Sequence, residues 1–278
     1  MNDANHSPMS SSTSTSLKFR EDTYAFALTT RVVAVGVERD GVDYVELAST
    51  IAHYAGGGQP SDRGRITSRD NAKTFAFARA EAEKSPSGTR VRHAGAYESG
   101  ASAFDVGDDV VVTIDRDLRL LHARVHSAGH ALDVGMIRIG LGPSAMAPTK
   151  GSHGVENAYV EYDGVCPSAH ACADVKALMA RLDEEMAKLI AENGSSAARE
   201  MSYEDAKAAC GGELPSFITP DMTPRVVTIV ENTPGCPCAG THVAKVGEIG
   251  AFKVTGVRVK KGVTRISYSI PGMKDWNY

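Results

Sequence analysis

Two histidines stand four residues apart in His126-Ser-Ala-Gly-His130, and a cysteine and a histidine repeat that spacing in Cys238-Ala-Gly-Thr-His242. On a helix, residues four apart lie one turn above each other, so both imidazoles of the first pair can face one ion. The second pair sets a thiolate and an imidazole on a turn containing Gly240. Three nitrogen donors and a soft sulfur suit Zn²⁺ far better than Mg²⁺ or Ca²⁺, which prefer oxygen. We therefore expect His126, His130, Cys238 and His242 to hold Zn²⁺. Other groups compete for that role. Cys166-Pro-Ser-Ala-His170-Ala-Cys172 has metal-like spacing but reads as a surface loop leading into a long helix, and His122, on the face of His126, reads as a buried or supporting imidazole. Cys236 could substitute for Cys238, yet only from Cys238 does the spacing mirror that of the histidine pair.

The second signal is Gly56-Gly57-Gly58-Gln59-Pro60-Ser61-Asp62. Three glycines permit positive φ and close backbone approach, and Gln59 at the end of the loop offers one acceptor and two donors. No Gly-Lys-Ser/Thr follows, and G-x-G-x-x-G is absent, so this is not a nucleotide-phosphate loop. Taken alone, such a turn is structural.

The elements that must position these residues differ between the two halves. Residues 1–16 are Ser/Thr-rich without an apolar run, which reads as a disordered tail and lacks the apolar core of a signal peptide. From 17 to 118 the texture is strands and turns: Val33, Val35 and Val37 alternate, Asp40-Gly41 turns, and Val42, Tyr44 and Glu46 return as a hairpin. A strand over Val110–Ile114 follows, and the segment is expected to form a small β-barrel carrying the glycine loop. From 119 the period becomes helical. One helix bears His122, His126 and His130 beside Leu120, Leu121, Ala128, Ala131 and Leu132. A second runs from a cap at Asp174 to Asn193-Gly194, and a short third opens at Ser202 and closes at Gly211-Gly212. Strands return over Val226–Val230, and Phe252–Val259 pairs with Val263–Ile270 across Lys260-Lys261-Gly262. Residues 119–278 are thus expected to be an α+β, zinc-binding domain with a mainly antiparallel sheet, and the whole chain α+β.

With 278 residues and 42% hydrophobic content there is material for two cores, which excludes a peptide hormone or a disulfide knot. The 30 basic and 34 acidic residues leave a formal charge of -4, so DNA is not an expected partner and any RNA contact has to be a local patch. Lys253 to Arg265, including Arg258, Lys260 and Lys261, is basic without an acidic residue; it can meet phosphates or simply guard a sheet edge. Five cysteines, all in the second half, do not make a secreted disulfide framework. No stretch has the roughly 18 apolar residues of a membrane span. A soluble, cytoplasmic protein with no membrane partner is expected; oligomeric state is not legible.

IAHYAGGGQPSDRG, LLHARVHSAGHAL and GCPCAGTHVAKVGEIG, in this order and spacing, resemble the editing domain of alanyl-tRNA synthetase and its free-standing relatives, the AlaX trans-editing proteins. APTKGSHGVENAYVEYDG and VKKGVTRISYSI are similar to the medium-length AlaX class, with its N-terminal β-barrel and a zinc-bearing domain shared with threonyl-tRNA synthetases. The resemblance covers about residues 20–272. It shows no synthetase motifs and leaves no room for an aminoacylation domain, which implies a hydrolase acting in translation fidelity.

What the resemblance implies is removal of a wrongly attached amino acid, chiefly serine, from mischarged tRNA(Ala). The zinc-ligand roles fall on His126, His130, Cys238 and His242. Gln59, with Gly56, Gly57 and Gly58, falls at the mouth of the aminoacyl pocket, and Thr241 becomes a candidate for touching the substrate hydroxyl. Lys260 and Lys261 become tRNA-binding candidates. Gly129 departs from the Thr or Gln of many members, and is expected to enlarge that part of the pocket and loosen discrimination against alanine; Ala239, in place of a common glycine, is a milder change. Alternatives are a deacylase of another mischarged tRNA, such as seryl-tRNA(Thr), and a zinc-stabilised RNA-binding module without turnover.

Overall fold

The computed structural model describes residues 14–86 and 88–274. The chain divides into two compact units: one takes the residues up to Ala55 and Ser61–Asp115, the other Gly56–Pro60 and everything from Arg116. Of the expected tail, residues 1–13 lie outside the described residues. Ser14–Ser16 are held: Thr15 N–H donates to Thr89 O (2.7 Å) and Ser16 N–H to Ala48 O (2.9 Å).

The first unit is a closed antiparallel barrel of β1 (Ala27–Val37), β2 (Asp43–Leu47), β3 (Gly64–Ser68), β4 (Thr74–Ser85), β5 (Gly88–Tyr97) and β6 (Asp109–Ile114), in the order β1-β2-β5-β4-β3-β6. Alternating side chains fill it: Val45, Leu47, Ile66, Phe75, Val91, Val110 and Val112 are fully buried. The Asp40-Gly41 turn forms as expected, with Gly41 at φ 84° and Asp40 Oδ1 accepting from Val42 N–H (3.2 Å). Of Val33, Val35 and Val37, only Val35 packs against the barrel core. A bulge between Val32 and Ala34 makes Val33 the extra residue opposite β2, so Val32 is buried while Val37 is exposed.

The second unit opens with α1 (Arg116–Arg138), whose long middle stretch is buried. An antiparallel sheet follows, built from β7 (Ala147–Gly154), β8 (Asn157–Asp163) and two strands from later in the chain. Between them come α2 (Val175–Glu192), a small sheet of β9 (Ala197–Glu200), β10 (Arg225–Thr228) and β11 (Cys236–Pro237), and α3 (Tyr203–Ala209). The hairpin β12 (Lys253–Lys260) and β13 (Val263–Ser269) completes the larger sheet in the order β12-β13-β8-β7. α1 packs on β7 and β8 and α2 on β12, around Leu132, Met146, Tyr162, Leu182, Met186 and Ile266.

Helix ends follow the sequence signals. Asp174 accepts from the N–H groups of Lys176 (3.0 Å) and Ala177 (3.1 Å), and Asn193 ends α2 in the left-handed region at φ 50°. Ser202 caps α3 through Asp205 N–H. No helix among the described residues is long and apolar enough to cross a membrane.

Candidate metal centre and active site

All four expected ligands come together in the second unit. α1 places His126 and His130 one turn apart with ring centroids 5.1 Å from each other. Cys238 and His242 lie on the turn after β11, which Arg225 of β10 clamps by donating from Nη1 to Cys238 O (2.7 Å) and Gly240 O (3.1 Å). One donor atom from each of the four lies within 4.8 Å of the other three. Cys238 Sγ is 3.5 Å from His126 Nε2 and 3.3 Å from His242 Nε2. Edges of a tetrahedral zinc site are about 3.3–3.8 Å at ordinary Zn–N and Zn–S lengths.

The hydrogen bonds fix which nitrogen of His126 faces the cluster. Thr241 N–H can only donate, and its acceptor is Gln59 Oε1 (3.0 Å). That orients the amide, whose Nε2 then donates to Thr241 Oγ1 (2.9 Å). The nitrogen 2.8 Å from Gln59 Oε1, His126 Nδ1, must therefore carry the proton, leaving the Nε2 lone pair toward Cys238. A similar arrangement serves His242: Ser127 Oγ accepts from Val243 N–H (3.0 Å) and lies 3.4 Å from His242 Nδ1. His130 Nε2 is buried without a hydrogen-bond partner among the described residues. Two imidazoles held at Nδ1 and one orphaned Nε2, gathered near a thiol, fit a metal ion as the missing partner.

Electrostatics agree. Burial, aided by the positive charge of Arg225, holds His130 down at about 4, so its ring is the neutral donor a metal requires. Burial also pushes the Cys238 thiol up, opposed by Gly240 N–H and by Arg225, so thiolate formation there calls for a cation.

The glycine loop belongs to this unit. Gly56 and Gln59 exchange both backbone hydrogen bonds (3.1 and 3.0 Å), with Gly57 at φ 58° and Gly58 at φ 82°, the left-handed pair a tight reverse turn needs. Gly58 O accepts from His153 N–H (2.8 Å), tying the loop to β7. Gln59 and Thr241 are almost wholly buried, and they face His126 and each other.

Gly129 requires a correction. The space a side chain would occupy there is already filled by His153: a Cβ would meet its Nδ1 at 2.7 Å and Tyr268 Oη at 2.9 Å. The glycine lets the His153 ring stack on His126 (centroids 4.3 Å apart), while His153 Nδ1 and Tyr268 Oη lie 2.8 Å apart. It therefore leaves no enlarged pocket from which loss of discrimination could arise.

The competing groups do not join the cluster, which is the one such group among the described residues. His170 is consumed by the backbone, Nε2 donating to Ile139 O (2.9 Å) and Nδ1 accepting from Cys172 N–H (3.0 Å), in the loop before α2. His122 is buried, and Cys236 is exposed outside the four. Lys260 and Lys261 lie at the β12–β13 turn, lining with Arg258 a surface hollow of about 340 Å³. Among the basic residues of that stretch, Lys253 pairs with Asp183 (2.6 Å), and Arg265 pairs with Glu161 (2.6 Å) and covers the Tyr159 ring.

Sequence reasoning missed Ser127, His153, Arg225 and Tyr268. Ser127 lies inside the His-x₃-His segment and could have been tested as a support; the others become neighbours only through sheet register.

A closed antiparallel barrel followed by an α+β unit with a His-x₃-His helix and a Cys-x₃-His turn defines a two-unit protein whose second unit carries a three-histidine, one-cysteine cluster. Residues 225–267, which hold Arg225, Cys238, His242 and the basic hairpin, match the family described as threonyl and alanyl tRNA synthetase second additional domain. The chain is 31% identical over 235 residues to the alanine-tRNA ligase of Thiobacillus denitrificans, covering 84% of this chain and 25% of that protein. It is 33% identical over 225 residues to that of Halorhodospira halophila (80% and 24%), and 30% over 231 residues to that of a Synechococcus species (82% and 24%). It spans about a quarter of the length of these curated relatives. The chain belongs with them as an AlaX-like relative of the alanyl-tRNA synthetase editing domain.

Proposed function

We propose that this protein is a cytoplasmic, zinc-dependent aminoacyl-tRNA deacylase that acts in trans on mischarged tRNA(Ala), chiefly seryl-tRNA(Ala). The observation that carries the reading is the convergence of His126, His130, Cys238 and His242 with Gln59 and Thr241 in a relative of a tRNA-editing domain. An aminoacyl ester is already activated, so hydrolysis needs a positioned water and stabilisation of the developing oxyanion. Zn²⁺ held by the four ligands would supply Lewis acidity at that point.

The chain's own residues do the rest. Gln59 keeps the proton of His126 on Nδ1 and steadies the Thr241 hydroxyl, which accepts from Gln59 Nε2 and so retains its own proton for the serine hydroxyl. Gly56, Gly57 and Gly58 hold Gln59 in place. Arg258, Lys260 and Lys261, which have no ion-pair partner among the described residues, would neutralise tRNA phosphates. The test is a panel of Ser-, Gly- and Ala-charged tRNA(Ala) incubated with zinc-loaded protein. Release of serine ahead of alanine is expected; tRNA binding without release of any amino acid would leave a zinc-stabilised RNA-binding module instead. The matched family also takes in threonyl enzymes, which favours seryl-tRNA(Thr) as the second substrate to include.

A further inference from the structure

Three residues beyond His130, α1 carries a carboxylate that none of this chemistry uses. Asp133 and His130 line the same cavity, of about 530 Å³, in the second unit. Its walls are largely apolar, with Val134, Ile137, Met146 and Leu214 among them. Asp133 Oδ1 accepts from the Tyr162 hydroxyl (2.7 Å), whereas Oδ2 has no hydrogen-bond partner among the described residues. The lining includes two carboxylates, Asp133 and Glu213, and neither lysine nor arginine. Such a lining repels phosphate and suits a small ligand that carries one positive charge on an otherwise uncharged body. Burial pushes the Asp133 carboxyl up to about 7, against the lowering effect of the Tyr162 hydrogen bond.

We propose that Asp133 receives the α-ammonium group of the aminoacyl ester in this cavity, with Tyr162 holding the carboxylate in place. The inference rests on the deacylase reading and adds to it the group that recognises the free amine. Every aminoacyl ester carries that amine, whereas a peptidyl or formylated ester does not. Asp133 is thereby a binding residue that selects unblocked substrates.

The test uses the full, zinc-loaded chain and two non-hydrolysable probes, the seryl amide of adenosine and its counterpart lacking the α-amine. The parent should bind the amine-bearing probe about tenfold or more tightly than the other, as a charge-assisted hydrogen bond implies. Asp133→Asn should erase that preference while leaving affinity for the amine-free probe and zinc content unchanged. Tyr162→Phe, which keeps the carboxylate but frees it, should reduce the preference to an intermediate value. Equal binding of both probes by a parent that releases serine from seryl-tRNA(Ala) would overturn the role of Asp133 alone, as would an undiminished preference in zinc-loaded Asp133→Asn. A parent that neither releases serine nor binds either probe would overturn the deacylase reading and this inference with it.

Discussion

Gln59 spends its single acceptor twice, on His126 Nδ1–H and on Thr241 N–H, although His126 lies 67 residues further along the chain. Removing such a support to a metal ligand typically costs about 10–100-fold in metal affinity. Gln59→Ala should therefore weaken zinc binding by about that factor in a chelator competition, and Gln59→Glu, which keeps an acceptor, should weaken it less; unchanged affinity in Gln59→Ala would leave the residue to substrate contact alone. Gly129→Thr probes the packing of His153 against Gly129. Since His153 fills the site, overpacking by about 1–3 kcal/mol is expected as a lowered melting temperature, with no gain in serine-to-alanine selectivity. An undiminished melting temperature would mean that His153 yields freely. The pairing of His126 with His130 was legible because spacing of four on a helix has one geometric meaning, and Cys238 with His242 because the same spacing recurs on a turn. The partners of Gln59 were not, since no local rule says where a loop amide will point after folding.

Among the elements, the β12–β13 hairpin shows how ion pairs sort a basic stretch. Lys253 and Arg265 are engaged with Asp183 and Glu161, so the proposed phosphate contacts would fall to Arg258, Lys260 and Lys261. Replacing both Lys260 and Lys261 by alanine should flatten the log-log salt dependence of tRNA binding by about one unit per lost contact, whereas an unaltered slope would make them edge guards. The barrel offers a second expectation. His93 is fully buried, donating from Nδ1 to Val45 O (3.0 Å) with Thr50 Oγ1 at Nε2 (2.8 Å), and burial lowers it from 6.5 to about 4. Between those values the unfolded chain binds a proton that the folded barrel refuses, so stability falls as pH drops from about 6.5 toward 4, by about 3 kcal/mol in all. Thermal melts of His93→Gln across this range should lose less than those of the parent; equal losses would place the acid sensitivity elsewhere. Caps at Asp174 and Ser202 and the turn at Lys261-Gly262 were readable because each is a local hydrogen-bond or φ requirement. The bulge at Val33 was not, because an extra residue exists only relative to the strand opposite.

For the whole molecule, the division of the chain does not follow sequence order. Gly56–Pro60 lies between barrel strands in sequence yet belongs with the unit that holds the His126, His130, Cys238 and His242 cluster. A sequence boundary at 118 could not foresee this, since five residues change no composition or period. The consequence is an asymmetry between two kinds of lesion. Cys238→Ala and His130→Ala each remove a ligand and should leave the protein without tightly held zinc, while Cys166→Ala and Cys172→Ala, in the loop before α2, should retain about one ion per chain. A fragment of residues 116–278 keeps all four ligands but loses Gln59, so it should still take up zinc, with affinity lowered at least as far as in Gln59→Ala. Adding Gln59 back cannot be mimicked by free glutamine, because the loop supplies it already oriented by the Gly56–Gln59 turn and the Gly58–His153 bond. Metal analysis of the four variants, with chelator competition on the fragment, checks both halves of the expectation. Full occupancy in Cys238→Ala would overturn the ligand set, and parent-like affinity in the fragment would show that the Gly56–Pro60 loop contributes nothing to the centre.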